Sequence, residues 1–224
     1  MAVEAIDDAV AATIAGLTLD ANRPLIISDA DEVLFAFMAA FEAFLIANEH
    51  YFDWSSFALD GNVRRKADSE PVERPQVLAM LGQFFADHTE TIAPVPEAAS
   101  SLDRLSDRAQ IVVLSNIPAD QATARSAALR RHGMAYPLIA SSGPKGPAVS
   151  ALAARAGTPV FFIDDGPNHH RSVARHANHV RRIHMIADER LARLIDQAPD
   201  SDHRADDWPT LRALIESELS EHGF

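Results

Sequence analysis

Apolar residues along this chain follow two rhythms. Short unbroken runs occur at Leu25-Ile26-Ile27, Ile111-Val112-Val113-Leu114 and Val160-Phe161-Phe162-Ile163, and each stops abruptly at polar residues. Runs of this length, closed by turn-forming groups, predict strands buried on both faces. Two more strands are predicted at about 136–140 and 180–185. Between them apolar positions recur at helical spacing, which predicts helices over 97–106, 119–132 and 147–156, one more before residue 180, and two closing the chain. Strand and helix in alternation predict a parallel sheet covered by helices on both faces. Right-handed crossovers then bring the ends of all these strands to one edge.

Two segments interrupt that alternation. Residues 3–17 carry Val3, Ile6, Val10, Ile14 and Leu17 at helical spacing, with acids in the first turn, which predicts an added helix packed on the core. From Val33 to Asn48 a strongly apolar helix is predicted, its stripe of Phe37, Phe41 and Phe44 wide enough to pack on more than one side. Mixed residues follow to 74, then a helix from Pro75 to Asp87, and Pro94 and Pro96 mark a boundary. The division expected is a core of residues 1–34 and 96–224 and an all-helical insert of residues 35–95.

Composition narrows the function classes. The 224 residues suffice for one large domain or a core with a small insertion, and 47% hydrophobic with 23% charged residues suits a packed globular protein. A formal net charge of -12 argues against a nucleic-acid surface. With no cysteine, disulfides, thiolate catalysis and Cys-based zinc sites drop out. The first twenty residues hold Glu4, Asp7 and Asp8 and lack a basic leader region, and no apolar run approaches membrane-spanning length. The expectation is a cytoplasmic protein with no membrane partner.

Three of the apolar runs end in chemically able residues: Asp29 and Asp31, Ser115 and Asn116, and Asp164 and Asp165. In open α/β sheets ligands bind at that carboxyl edge. Lys145 stands just before a helix, a poor place for a cation beside the helix dipole unless an anion joins it. Four carboxylates at one edge need a counterion, and oxygen ligands with a phosphate substrate suit Mg²⁺. Asp29 can attack phosphorus, Asp31 can move the proton, Ser115 and backbone N–H groups can hold phosphate oxygens, and Lys145 can balance charge.

The order of these residues resembles the haloacid dehalogenase superfamily. Asp29-Ala30-Asp31-Glu32-Val33-Leu34 matches its first motif, Ser115 its second, Lys145 its third and Asp164-Asp165 its fourth, across residues 24–185. The resemblance implies a Rossmann-like core with Asp29 as nucleophile and Asp31 as acid/base. It implies Mg²⁺ held by Asp29, the Asp31 carbonyl and a fourth-motif aspartate, Asp165 being favoured with Asp164 in support. The insert then corresponds to a small helical cap that selects the substrate. The second acid favours phosphatases over the superfamily's dehalogenases. One departure is Gly166-Pro167-Asn168-His169-His170, where many members carry a further aspartate.

Each residue also has a plainer reading. Asp29 and Asp31 can be solvated turn acids, Ser115-Asn116 a helix cap, and Lys145 a loop lysine. The histidines at 169, 170, 176, 179 and 184 read as surface or half-buried groups before a second metal site, and Arg64-Arg65-Lys66 as a solvated charge run before an anion grip. Tyr51, Phe52, Trp54 and Phe57 read as packing before a substrate pocket. The expected function is a Mg²⁺-dependent phosphohydrolase of a small phosphorylated metabolite, working as a monomer or homodimer. The competing readings are a catalytically silent binding protein on the same scaffold, and phosphonate cleavage or phosphomutase chemistry.

Overall fold

Leu25–Ser28, the first of the apolar runs, is buried at every position because it lies in the middle of a six-stranded sheet. In the computed structural model, which describes residues 5–224, the elements in chain order are α1 (Asp8–Gly16), β1 (Leu25–Ser28), α2 (Phe37–Ala47), β2 (His50–Phe52), β3 (Val63–Arg65), α3 (Arg74–His88), α4 (Ala98–Ser106), β4 (Gln110–Ser115), α5 (Ala122–Arg131), β5 (Leu138–Ala140), α6 (Gly146–Ala153), β6 (Val160–Asp164), α7 (Pro167–His176), β7 (Arg181–Met185), α8 (Glu189–Ala192), β8 (His203–Ala205) and α9 (Trp208–Glu221). The sheet order is β5-β4-β1-β6-β7-β8, with every pairing parallel. From β1 the chain winds outward to β4 and β5, then returns to β6 on the other side of β1. The reversal of direction opens a crevice at the carboxyl ends of β1 and β6.

Side chains alternate across the sheet and feed two apolar layers. Ile26, Val113, Phe161 and Ile163 face the layer that includes Leu102, Leu105, Trp208, Leu211 and Ile215 from α4 and α9. Leu25, Ile27, Val112, Leu114 and Phe162 face the layer completed by Val10 and Ile14 of α1 and Val149 and Leu152 of α6. The added N-terminal helix thus packs on the core, beginning where the Asp7 side chain accepts the N–H groups of Ala9 and Val10. Val3 lies outside the described residues. The first layer runs without a break into the insert, where Phe37, Phe41 and Phe44 of α2 stack and meet Phe84 of α3 edge-on.

Three expectations change. The insert is not all-helical: β2 and β3 pair antiparallel, Phe52 opposite Val63. Each strand has three residues, too few for a visible alternation, and the connection between them is folded by Asn62, whose amide donates to Ser56 and Ala58. The apolar helix begins at Phe37 and not Val33, because residues 30–35 close a tight loop in which Leu34 and Phe35 both donate to the Ala30 carbonyl and Glu32 takes a φ of 62°. The chain's end is not two helices alone, since β8 adds an edge strand; His203 and Arg204 are half-buried and polar, so no apolar run marks it. The basic run of the hairpin is internally paired, Arg64 with Asp53, Arg65 with Asp68, and Lys66 with the Ile46 carbonyl. Among the described residues no helix is long and apolar enough to cross a membrane.

Trp208, fully buried, ties the last helix to the loop after β1 by donating its indole N–H to the Val33 carbonyl at 2.8 Å. Trp208→Phe leaves that carbonyl without its donor, and urea unfolding is expected to show a loss of about 1–3 kcal/mol.

Candidate active site

Asp29 extends β1 by one residue, its N–H donating to the Ile163 carbonyl of β6 at 2.8 Å. The parallel register sets Ser28 beside Val113 and Ile163, so Asp29 stands next to Asp164, and Ser115 projects one step further out on β4. Lys145 reaches the same point from the start of α6. That helix lies against α7 so closely that a Cβ on Gly146 would come within 2.4 Å of the Ser172 carbonyl oxygen, while the Gly146 N–H donates to the Ser172 hydroxyl. The close approach holds Lys145 in place with no exposure to solvent.

Its ammonium bridges Asp29 Oδ1 and Asp164 Oδ2, each at 2.7 Å. The anion expected beside this helix start is therefore supplied by two carboxylates of the protein. Asp164 is also held at Oδ1 by the Gly166 N–H at 2.8 Å. Asp165 is half-buried and faces the adjoining cleft, and among the described residues no donor holds its carboxylate. The backbone of this pair is fixed by imidazoles. His170 Nε2 donates to the Asp164 carbonyl, and His184 Nε2 to the Asp165 carbonyl, each at 2.9 Å. His184 Nδ1 accepts the Ala198 N–H, which sets the tautomer.

The electrostatics follow from too many acids in too little water. Burial pushes Asp29 up to about 7 against the pull of Lys145, with repulsion from Asp164 and Asp31 adding to the rise. Burial, then Asp164 and Asp29, push Asp165 well above the usual carboxylate range. Burial also works against charge on Asp164, yet Lys145 holds that group below its usual value. Lys145 likewise pays for burial but is kept above the lysine range by Asp164 and Asp29. His170 is pushed down to about 4 by burial and is neutral at pH 7.

Asp29, Asp164 and Asp165 each offer a carboxylate oxygen within 4.8 Å of the others. Three carboxylates against one ammonium leave negative charge that a hard divalent cation would neutralise, so the donor set fits such an ion. No histidine belongs to this group among the described residues. The Ser115 hydroxyl is buried without a partner, a state expected of a group that awaits a ligand oxygen. Asn116 is exposed, its amide donating to the Gly143 carbonyl at 2.9 Å.

Asp31 does not join the cluster. Its Oδ1 is taken by Arg125 at 2.5 Å, a fully buried arginine on α5 that also lies over the Phe35 ring, 4.7 Å from its centre. Sequence reasoning missed Arg125; the available signal was a charge on the same helix face as Ala128 and Leu129. It also passed over Glu32, 2% exposed, whose carboxylate accepts the N–H groups of Met38 at the start of α2 and Asp188 after β7. Burial raises Glu32 to about 7 despite those two hydrogen bonds.

Removing the central cation leaves its acids unpaired. Lys145→Met should cost about 3–5 kcal/mol at pH 7 in chelator. Acids whose folded pKa is raised take up protons on folding, so stability rises as pH falls. Without Lys145, burial raises Asp164 as well as Asp29, so urea titrations should show the loss shrinking as pH falls from about 7 to 5 and both acids take up protons.

No family model and no curated protein matches the sequence. Solved structures do match its fold. A conserved haloacid dehalogenase-like protein of unknown function from Agrobacterium tumefaciens superposes with a TM-score of 0.60 at 16% identity, covering 88% of this chain and 99% of its own. A haloacid dehalogenase family hydrolase from Deinococcus radiodurans, with bound phosphate and sodium, gives 0.56 at 16% identity, covering 89% and 98%. An L-2-haloacid dehalogenase from Xanthobacter autotrophicus gives 0.53 at 14%, covering 86% and 98%. This chain therefore folds as a haloacid dehalogenase-like protein.

Proposed function

We propose that the protein is a Mg²⁺-dependent phosphohydrolase that works through an aspartyl-phosphate on Asp29. The observation that carries the reading is the buried Lys145 bridging Asp29 and Asp164, with Asp165 beside them and the Ser115 hydroxyl unpartnered. Asp29 and Asp165, with the Asp31 carbonyl, would hold the ion and Asp164 would support it. The ion would offset the charge of the carboxylates and of the phosphate oxygens. Asp165 suits direct ligation better than Asp164, whose two oxygens are already engaged.

In the first step an Asp29 oxygen attacks phosphorus, the P–O bond to the alcohol breaks, and Asp31 protonates the departing oxygen. In the second, Asp31 takes a proton from water as that water attacks phosphorus and releases the Asp29 carboxylate. Lys145 and the Ser115 hydroxyl hold phosphate oxygens and balance charge across both steps. Arg125 occupies Asp31 Oδ1, so Oδ2 is the oxygen left to move the proton. Residues 35–95 are read as the cap over this site, and a phosphorylated metabolite as its substrate.

With Mg²⁺ the purified protein should hydrolyse p-nitrophenyl phosphate. Asp29→Asn should lower kcat by about a thousandfold or more while circular dichroism stays native. Turnover that survives Asp29→Asn removes the mechanism, and halide release from 2-chloropropionate in place of phosphate release would mark a dehalogenase.

A further inference from the structure

Asp165 of the carboxylate cluster lines a cleft of about 900 Å³, and the two ends of that cleft differ in chemistry. Its floor is polar, formed by Asp165, Asn116 and His169. Its walls come from the insert and are apolar: Phe37 of α2, Phe57 and Leu59 of the hairpin connection, and Val77, Leu78 and Leu81 of α3. Phe57, Leu59 and Leu81 pack against the core yet stay partly exposed, and Leu78 is 54% exposed, so apolar surface remains on the cleft side. The aromatic cluster of the hairpin is thereby divided. Phe52 and Trp54 pack on each other, and Trp54 lies beneath Arg190, whereas Phe57 faces the cleft.

Charge along the walls is equally selective. Arg74 is the cation among the lining residues, and it is ion-paired to Asp60, which lines the cleft beside it. Arg64 and Arg65 pair with Asp53 and Asp68, Lys66 donates to the Ile46 carbonyl of α2, and none of the three lines the cleft. A second phosphate or a carboxylate on the substrate would find no unpaired lysine or arginine among these lining residues, and it would lie near Asp165 at the polar end. A polyol would bury hydroxyls against carbon, where each lost hydrogen bond to water goes unreplaced.

We infer that the substrate carries one phosphate and an uncharged, largely apolar body, such as a carbocycle, a small arene or a branched alkyl chain, and is neither a sugar phosphate nor a nucleotide. The inference rests on the phosphohydrolase reading for the phosphate end and on the apolar walls for the body.

The test compares cyclohexylmethyl phosphate with glucose 6-phosphate, both phosphomonoesters of a primary carbinol on a six-membered ring, in the presence of Mg²⁺. The expected kcat/KM ratio is at least about tenfold in favour of the carbocycle. Phe57→Ser should narrow that ratio chiefly through KM for cyclohexylmethyl phosphate. If Phe57→Ser does not fold, Leu78→Lys, at an exposed position, should narrow it in the same direction. An equal or better rate with glucose 6-phosphate overturns the inference and leaves the phosphohydrolase reading standing. If neither ester is turned over, p-nitrophenyl phosphate hydrolysis decides that reading separately, and calorimetry with the two corresponding phosphonates decides the inference. Preference for the cyclohexylmethyl phosphonate upholds it; equal binding, or none, overturns it.

Discussion

One buried ammonium sets the terms for this structure. Lys145, with no solvent exposure, holds Asp29 and Asp164 at 2.7 Å each, at the point where β1 and β6 end. The carboxylates must be there if the site is to take a metal ion and a phosphate, and without a cation their mutual repulsion would push the two strand ends apart. Bridging costs the desolvation of a lysine and of two acids, which good geometry offsets only in part. The remaining imbalance persists as the raised Asp29 and Asp165, an oxygen donor set that would suit a divalent cation.

The surrounding scaffold is arranged to keep that point rigid. Gly146 lets α6 press against α7, so Lys145 cannot withdraw. His170 and His184 pin the carbonyls of the two β6 aspartates. Glu32 stitches the loop after β1 to α2 and to the segment after β7, and Trp208 fastens the same loop from α9. These contacts use backbone groups as partners, which fixes position, although the Glu32 carboxylate also helps to raise Asp165. Arg125 does the same for Asp31 with a charge of its own, over the face of Phe35. The adjoining cleft is built from a different part of the chain. The insert supplies most of the apolar side chains that line the adjoining cleft.

Strand positions were legible because burial on both faces removes polar residues, so β1, β4 and β6 appear as apolar runs that end at candidate site residues. The same logic failed where a strand has a wet side. β2, β3 and β8 have three residues each and half-buried polar positions, so nothing in their sequence separates them from loop. The start of α2 was misplaced because the apolar residues Val33, Leu34 and Phe35 suit a helix as well as the buried loop they form; the loop wins through its hydrogen bonds to Ala30.

For the site, the order of Asp29, Asp31, Ser115, Lys145 and Asp164-Asp165 along the chain was enough to gather them at one edge, since a parallel sheet with right-handed crossovers leaves little choice of where its strand ends meet. Partners were another matter. A carboxylate does not declare which cation it meets, and Asp29 and Asp31, two residues apart, meet different ones, Lys145 and Arg125, because adjacent turns of the backbone aim them apart. Local polarity and chain connectivity made β1, β4 and β6, their shared edge and the chemistry available there readable from the residues alone. Only the tertiary structure decided which charges pair, which histidines hold backbone and which insert residues face the cleft, because those depend on side-chain directions that packing across distant segments sets.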